Sequence, residues 1–94
     1  MKLAKLTLLV SILYSVLLVW DDNASQEKGF YIWRWTGGVW YYLIDTIAPN
    51  PNTDGVRRTI YLDSNTKRGR VCYIVTAFGD FGERDSNESC TKAP

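Results

Sequence analysis

The sequence predicts an all-β domain, an antiparallel sandwich or small barrel, preceded by an apolar N-terminal segment. Three observations lead there. Beyond residue 20 the chain breaks into short aromatic and β-branched runs, separated by turns bearing Gly, Asn, Asp and Pro. No segment there repeats its apolar residues at helical spacing. The 94 residues allow one small domain, and 14% aromatic content, with four Trp and six Tyr, supplies core material that a disordered chain lacks.

The first segment reads in two ways. Lys2 and Lys5 precede a stretch, residues 6–20, that carries no charge. A short basic region followed by an apolar one is the pattern of a secretory signal. It falls short of the ~20 apolar residues that a spanning helix needs. No A-x-A cleavage site follows; Ser15 is small enough to end a signal, but Leu13 two positions earlier is bulky. Residues 1–15 are therefore expected to be a signal or membrane anchor ahead of a domain at 16–94. The other reading makes the same residues buried strands of the domain.

The body follows in order. DDNASQEKG is a polar loop. GFYIWRW is a strand, Thr36-Gly37-Gly38 a turn, and VWYYLIDTI, residues 39–47, a second strand, which makes a hairpin. APNPNTDG is a loop by its Pro, Asn and Gly. VRRTIYLD is a third strand and SNTKRG a turn. RVCYIVTAF is a fourth strand, GDFGERD a Gly-rich turn, and SNESCTK a short closing strand.

Composition narrows the function. Eleven Lys plus Arg against ten Asp plus Glu leave a net +1, which gives no electrostatic case for nucleic acid. There is no His, so the commonest general base and metal ligand are both missing. The two Cys form no CxxC. No cofactor, metal or catalytic residue is expected, and the chain reads as a non-enzyme. Asp80, Glu83 and Asp85 in the Gly-rich turn lack calcium-loop spacing, and Lys67, Arg68 and Arg70 sit in another turn; both groups read as solvated. Asn23-Ala24-Ser25 and Asn87-Glu88-Ser89 fit the N-glycosylation pattern, which matters only on a eukaryotic secretory route.

Two stretches resemble the fibronectin type III domain, best its subset in secreted bacterial proteins. VLLVWDDNASQEKGFYIWRW is similar to that family's strand B, loop and strand C, through Trp20, Asp21, Asp22, Asn23, Glu27, Gly29, Phe30, Ile32 and Arg34. IYLDSNTKRGRVCYIVTAFGDFGERDSNESC resembles its strands E, F and G, through Tyr61, Asp63, Gly69, Tyr73, Val75, Ala77, Gly82, Ser86 and Asn87. The resemblance covers residues 16–92, most of the chain. Thr66 stands where the family has Leu, and Val71 where it has a corner Tyr, so the corner hydrogen bond is expected to be missing. If residues 1–15 are a signal, little remains for strand A.

The resemblance implies a fibronectin type III-like sandwich that buries Val71, Tyr73, Val75 and Ala77, with Phe30 and Ile32 opposite. Strand alternation then turns Tyr31, Trp33, Trp35, Ile74 and Phe78 outward on one sheet. Monomers rarely expose that much contiguous apolar surface without a use. It is read as a contact surface, unless another segment covers it or the register slips by one. Arg34 beside this stripe suggests base stacking only weakly. Some family members have Cys where Cys72 and Cys90 stand, on paired strands, so a disulfide is expected in an exported protein. The implied function is a non-catalytic extracellular module that mediates protein or carbohydrate contact at the cell surface, secreted or held there. The alternative is a small membrane-anchored protein, attached through residues 6–20, whose sandwich docks on a partner.

Overall fold

A computed structural model describes residues 6–12, 15–22, 27–49, 57–64, 69–80 and 82–93. They form eight strands: β1 (Leu6–Ile12), β2 (Ser15–Asp22), β3 (Glu27–Trp35), β4 (Tyr42–Ile47), β5 (Arg57–Asp63), β6 (Gly69–Gly79), β7 (Gly82–Asp85) and β8 (Ser89–Ala93). One antiparallel sheet has the order β1-β2-β5. The other has the order β4-β3-β6-β7, and β8 also pairs with β6. Thr76 pairs with Tyr31 and with Asp85, and Cys72 with Trp35 and with Cys90. β7 and β8 therefore lie end to end along the edge of β6 that β3 leaves free.

The sheets share one core. Period-two alternation sends Val16, Leu18 and Trp20 of β2, Phe30 and Ile32 of β3, and Val71, Tyr73, Val75 and Ala77 of β6 to a common interior. Two antiparallel sheets around one apolar layer fit a β-sandwich. Burying each of the larger aliphatic or aromatic side chains contributes roughly 1.5–3 kcal/mol. Trp20 and Phe30 meet edge to face, centroids 5.5 Å apart at 69°. β1 pairs with β2 from Leu6↔Trp20 to Ile12↔Ser15, so residues 6–12 supply an edge strand. No helix among the described residues is long and apolar enough to cross a membrane. Because Val16, Leu18 and Trp20 are core, an anchor helix running to residue 20 and this fold exclude each other.

Several boundaries differ from the sequence reading. The strand expected from Val39 begins at Tyr42, because residues 36–40 bend away after a bulge between Ile32 and Trp33. The expected turn over residues 79–85 closes between Gly79 and Gly82, and Gly82–Asp85 is strand. Gly82 has φ +109°, a conformation side chains other than Gly resist. The closing strand starts at Ser89 rather than Ser86. At the break, Ser86 N–H donates to the Val75 carbonyl (2.7 Å), and the Val75 N–H donates to Ser86 Oγ (2.9 Å), which preserves the ladder's hydrogen bonds.

A polar link ties the sheets at one end. Arg34 faces inward from β3, and its Nη1 reaches both carboxylate oxygens of Asp63 on β5 at 2.9 Å. The Tyr73 hydroxyl donates to Asp63 Oδ2 at 2.6 Å. Arg34 therefore does not belong to the outward aromatic stripe. Val71 does leave the corner position apolar, but Tyr73 connects β6 to β5 instead. Burial, then the bond to Asp63, raises the Tyr73 phenol well above its usual range. Tyr61, bonded to Asp45 at 3.0 Å, is raised to about 12, again first by burial. Folded pKa values above the unfolded value of about 10 mean that these phenols stabilise the fold fully below that pH. The contribution is lost as pH rises from there through the folded pKa. Urea midpoints are therefore expected to be flat from neutral to about pH 9.5 and to fall above pH 10; a Tyr73→Phe variant should show a shallower alkaline decline.

Gly29 is fixed by close approach. A Cβ there would lie 2.7 Å from the Ile47 carbonyl oxygen and 2.7 Å from Phe78 Cζ. Phe78 covers the glycine across the strand pair, as aromatics do beside sheet glycines. Gly29→Ala is expected to cost about 1–3 kcal/mol by overpacking, read from urea unfolding.

Candidate contact surface

The outer face of the β4-β3-β6-β7 sheet carries Tyr31, Trp33, Trp35, Ile74 and Phe78, all half-buried. They sit there because Phe30, Ile32 and Arg34 take the inner positions of β3, and Tyr73, Val75 and Ala77 those of β6. In register, Trp35 faces Cys72, Trp33 faces Ile74, Tyr31 faces Thr76 and Gly29 faces Phe78. Tyr31 stacks on Phe78, centroids 4.3 Å apart and planes 16° apart. Tyr31 also meets Trp33 edge to face at 6.2 Å and 70°. Phe78, Tyr31 and Trp33 are thus one connected row of rings, with Trp35 next along β3.

Hydrogen bonds hold the indoles in place. Trp33 Nε1 donates to Thr76 Oγ1 (2.9 Å), whose hydroxyl donates to Asp85 Oδ1 (2.7 Å). Trp35 Nε1 donates to the Gly38 carbonyl at 2.6 Å. Each indole has a single donor, and each donor is used, so the ring faces are left as an oriented apolar platform. A groove of about 390 Å³ lies on this platform, lined by Trp33, Tyr41, Ile74, Thr76, Glu83 and Asp85. A second groove, about 300 Å³, continues past Tyr41 between Trp35, Val39, Arg70, Cys72 and Glu88.

Tyr41 separates the two grooves. Its hydroxyl donates to Glu88 Oε2. Burial, then that bond, raises the phenol's pKa. Sequence reasoning missed Tyr41, Glu83, Asp85 and Glu88 as neighbours of the aromatic row. The sequence places Tyr41 within a strand, and Glu83 and Asp85 within a turn. The signal that was there is the charge alternation on β7, which suits an exposed edge strand.

The acids play separate parts. Asp80 pairs with Lys28 at 2.6 Å, an exposed ion pair of little energetic weight. Glu83 and Asp85 line the groove instead. Cys72 and Cys90 are directly opposed and form a disulfide, with Cα atoms 4.0 Å apart. Glu88 and the two sulfurs lie within 4.8 Å of one another. With the bridge closed, the sulfurs have no thiolate to offer a metal. Lys67, Arg68 and the Asn23 glycosylation triplet lie outside the described residues, as does the structure of the loop at 50–56.

Comparison with known protein families and with curated sequences finds no match to this chain.

Proposed function

We propose that the chain is a non-catalytic contact module that works in an oxidising compartment, secreted or at the cell surface. More particularly, we assign it to the fibronectin type III-like sandwiches. Support for that assignment is the strand order. Three strands, β1-β2-β5, face β4-β3-β6, and the last edge is built from β7 and β8. The disulfide is compatible with an extracellular location, since cytosolic thiols are kept reduced.

The observation that carries the contact role is the row of rings Phe78, Tyr31 and Trp33 beside Trp35, half-exposed and fixed by hydrogen bonds. Pre-oriented aromatics lose little entropy on binding and anchor interfaces. Beside them, Glu83, Asp85 and the Tyr41–Glu88 pair offer acceptors for the hydroxyls of a sugar or the amides of an extended chain. The ligand is therefore a carbohydrate or a protein segment laid along the sheet face. The test is ligand retention by a chain carrying Trp33→Ala and Trp35→Ala, compared with the unaltered chain.

A further inference from the structure

We propose that one pole of the molecule, where the aromatic sheet face ends at Trp35, docks on an anionic phospholipid surface. The pole is defined by the register: β3 ends at Trp35, β6 begins at Gly69, and β8 ends opposite Gly69 at Ala93. The β3–β4 connection projects there. Residues 35–44 carry no charge. At its tip Val39 is 85% and Trp40 70% exposed, with Tyr42 at 64% beside them. These side chains belong to no core and make no hydrogen bond among the described residues to keep them in water. Trp and Tyr favour the headgroup boundary of a bilayer, where an amphipathic ring has both of its environments.

Charge beside the tip points to the sign of the surface. Arg70 and Lys92 are directly opposite on β6 and β8, and both are exposed. Like charges in that position repel, a cost the fold carries for no internal return. Neither forms an ion pair among the described residues. Glu88, which lines a groove with Arg70, accepts from Tyr41. A groove of about 390 Å³ runs between Arg70, Cys90, Thr91 and Lys92, and Arg70 also lines the groove that holds Val39. Arg70 thus joins the apolar tip to the cation pair. A lipid phosphate between Arg70 and Lys92 relieves their repulsion while Val39 and Trp40 enter the interface. Neither part is strong alone; a marginal apolar insertion plus a basic patch is how reversible membrane binding is usually built.

The experiment is sedimentation of the full, disulfide-bonded chain with vesicles of phosphatidylcholine, with or without phosphatidylglycerol. The expected result is stronger partition onto the anionic vesicles, weakened by salt. Arg70→Gln with Lys92→Gln should lower it roughly 30-fold, about fivefold for each cation. Val39→Ser with Trp40→Ser should remove it, and Val39→Asp alone provides a second, smaller change at a position too exposed to threaten folding. Equal partition onto neutral and anionic vesicles overturns the proposal. So does undiminished binding by both tip variants, or full competition by soluble glycerol phosphate, which would mark a pocket for free phosphate. No sedimentation with either vesicle also overturns it and leaves the tip to a protein partner. Trp35 shares a groove with Val39 and Arg70, so retention of the sheet-face ligand is measured on the same variants; vesicle binding lost with retention kept separates the two readings.

Discussion

Replacing Asp63 by Ala is expected to lower stability by about 3–5 kcal/mol, the range for breaking a buried ion pair from one side. Against a total of roughly 5–15 kcal/mol for a domain, that is a large share. Asp63 is 4% exposed. Its loss leaves the Arg34 guanidinium facing the interior without its carboxylate, and removes the acceptor of the buried Tyr73 hydroxyl. Asp63→Asn should cost less, because an acceptor for Tyr73 remains. The informative control is the paired change Arg34→Met with Asp63→Leu. If it restores most of the loss, the pair contributes specificity of sheet packing rather than net stability. Urea unfolding followed by tryptophan emission reads all three. A midpoint shift of less than about 0.5 kcal/mol equivalent for Asp63→Ala, the size of an ordinary surface change, would contradict the link.

Reducing the disulfide is expected to cost about 3 kcal/mol, from the chain entropy released when a loop of sequence separation 18 opens. The effect should be local in the folded state. β8 has five residues, pairs with β6 and packs against β1, and Cys90 is its covalent tie to β6. Hydrogen exchange should quicken at β8 before β7, whose hold on β6 includes the Thr76–Asp85 bond. Cys72→Ser with Cys90→Ser should reproduce the reduced protein. Unchanged exchange at β8 after reduction would show that packing, not the bridge, holds that strand.

Much of this fold is legible in one dimension. Period two parts Phe30 and Ile32 from Tyr31 and Trp33 on β3, and the family resemblance implies which pair is buried; β6 is less distinct, because Cys72 and Thr76 on its outward face are buried too. Cys72 and Cys90 flank one hairpin, which makes their pairing readable. The misreadings have physical causes. Residues 39–41 have strand-like composition, yet the side chains of Val39 and Trp40 are exposed; propensity does not report burial. Gly82–Asp85 is a strand whose every residue is exposed, and an edge strand that faces water looks like a turn in sequence. Residues 6–12 are ambiguous because a buried strand and a signal's apolar region are both continuous apolar runs. The Arg34–Asp63 link spans 29 residues and two sheets, and no local pattern encodes it. The groove beside Trp33 was hidden for the same reason: Tyr41, Asp85 and Trp33 meet only after the sheet forms.

The most direct test of the contact surface is the Trp33→Ala, Trp35→Ala chain, measured twice. Urea unfolding should remain cooperative, because the core of Trp20, Phe30, Ile32, Tyr73 and Val75 is untouched on the opposite face. Retention on a panel of soluble polysaccharides and extracellular proteins should fall to background for whichever ligand the unaltered chain holds. A folded variant that keeps its ligand, or a variant that no longer folds, would contradict the account; the second outcome would make those two tryptophans core rather than contact residues.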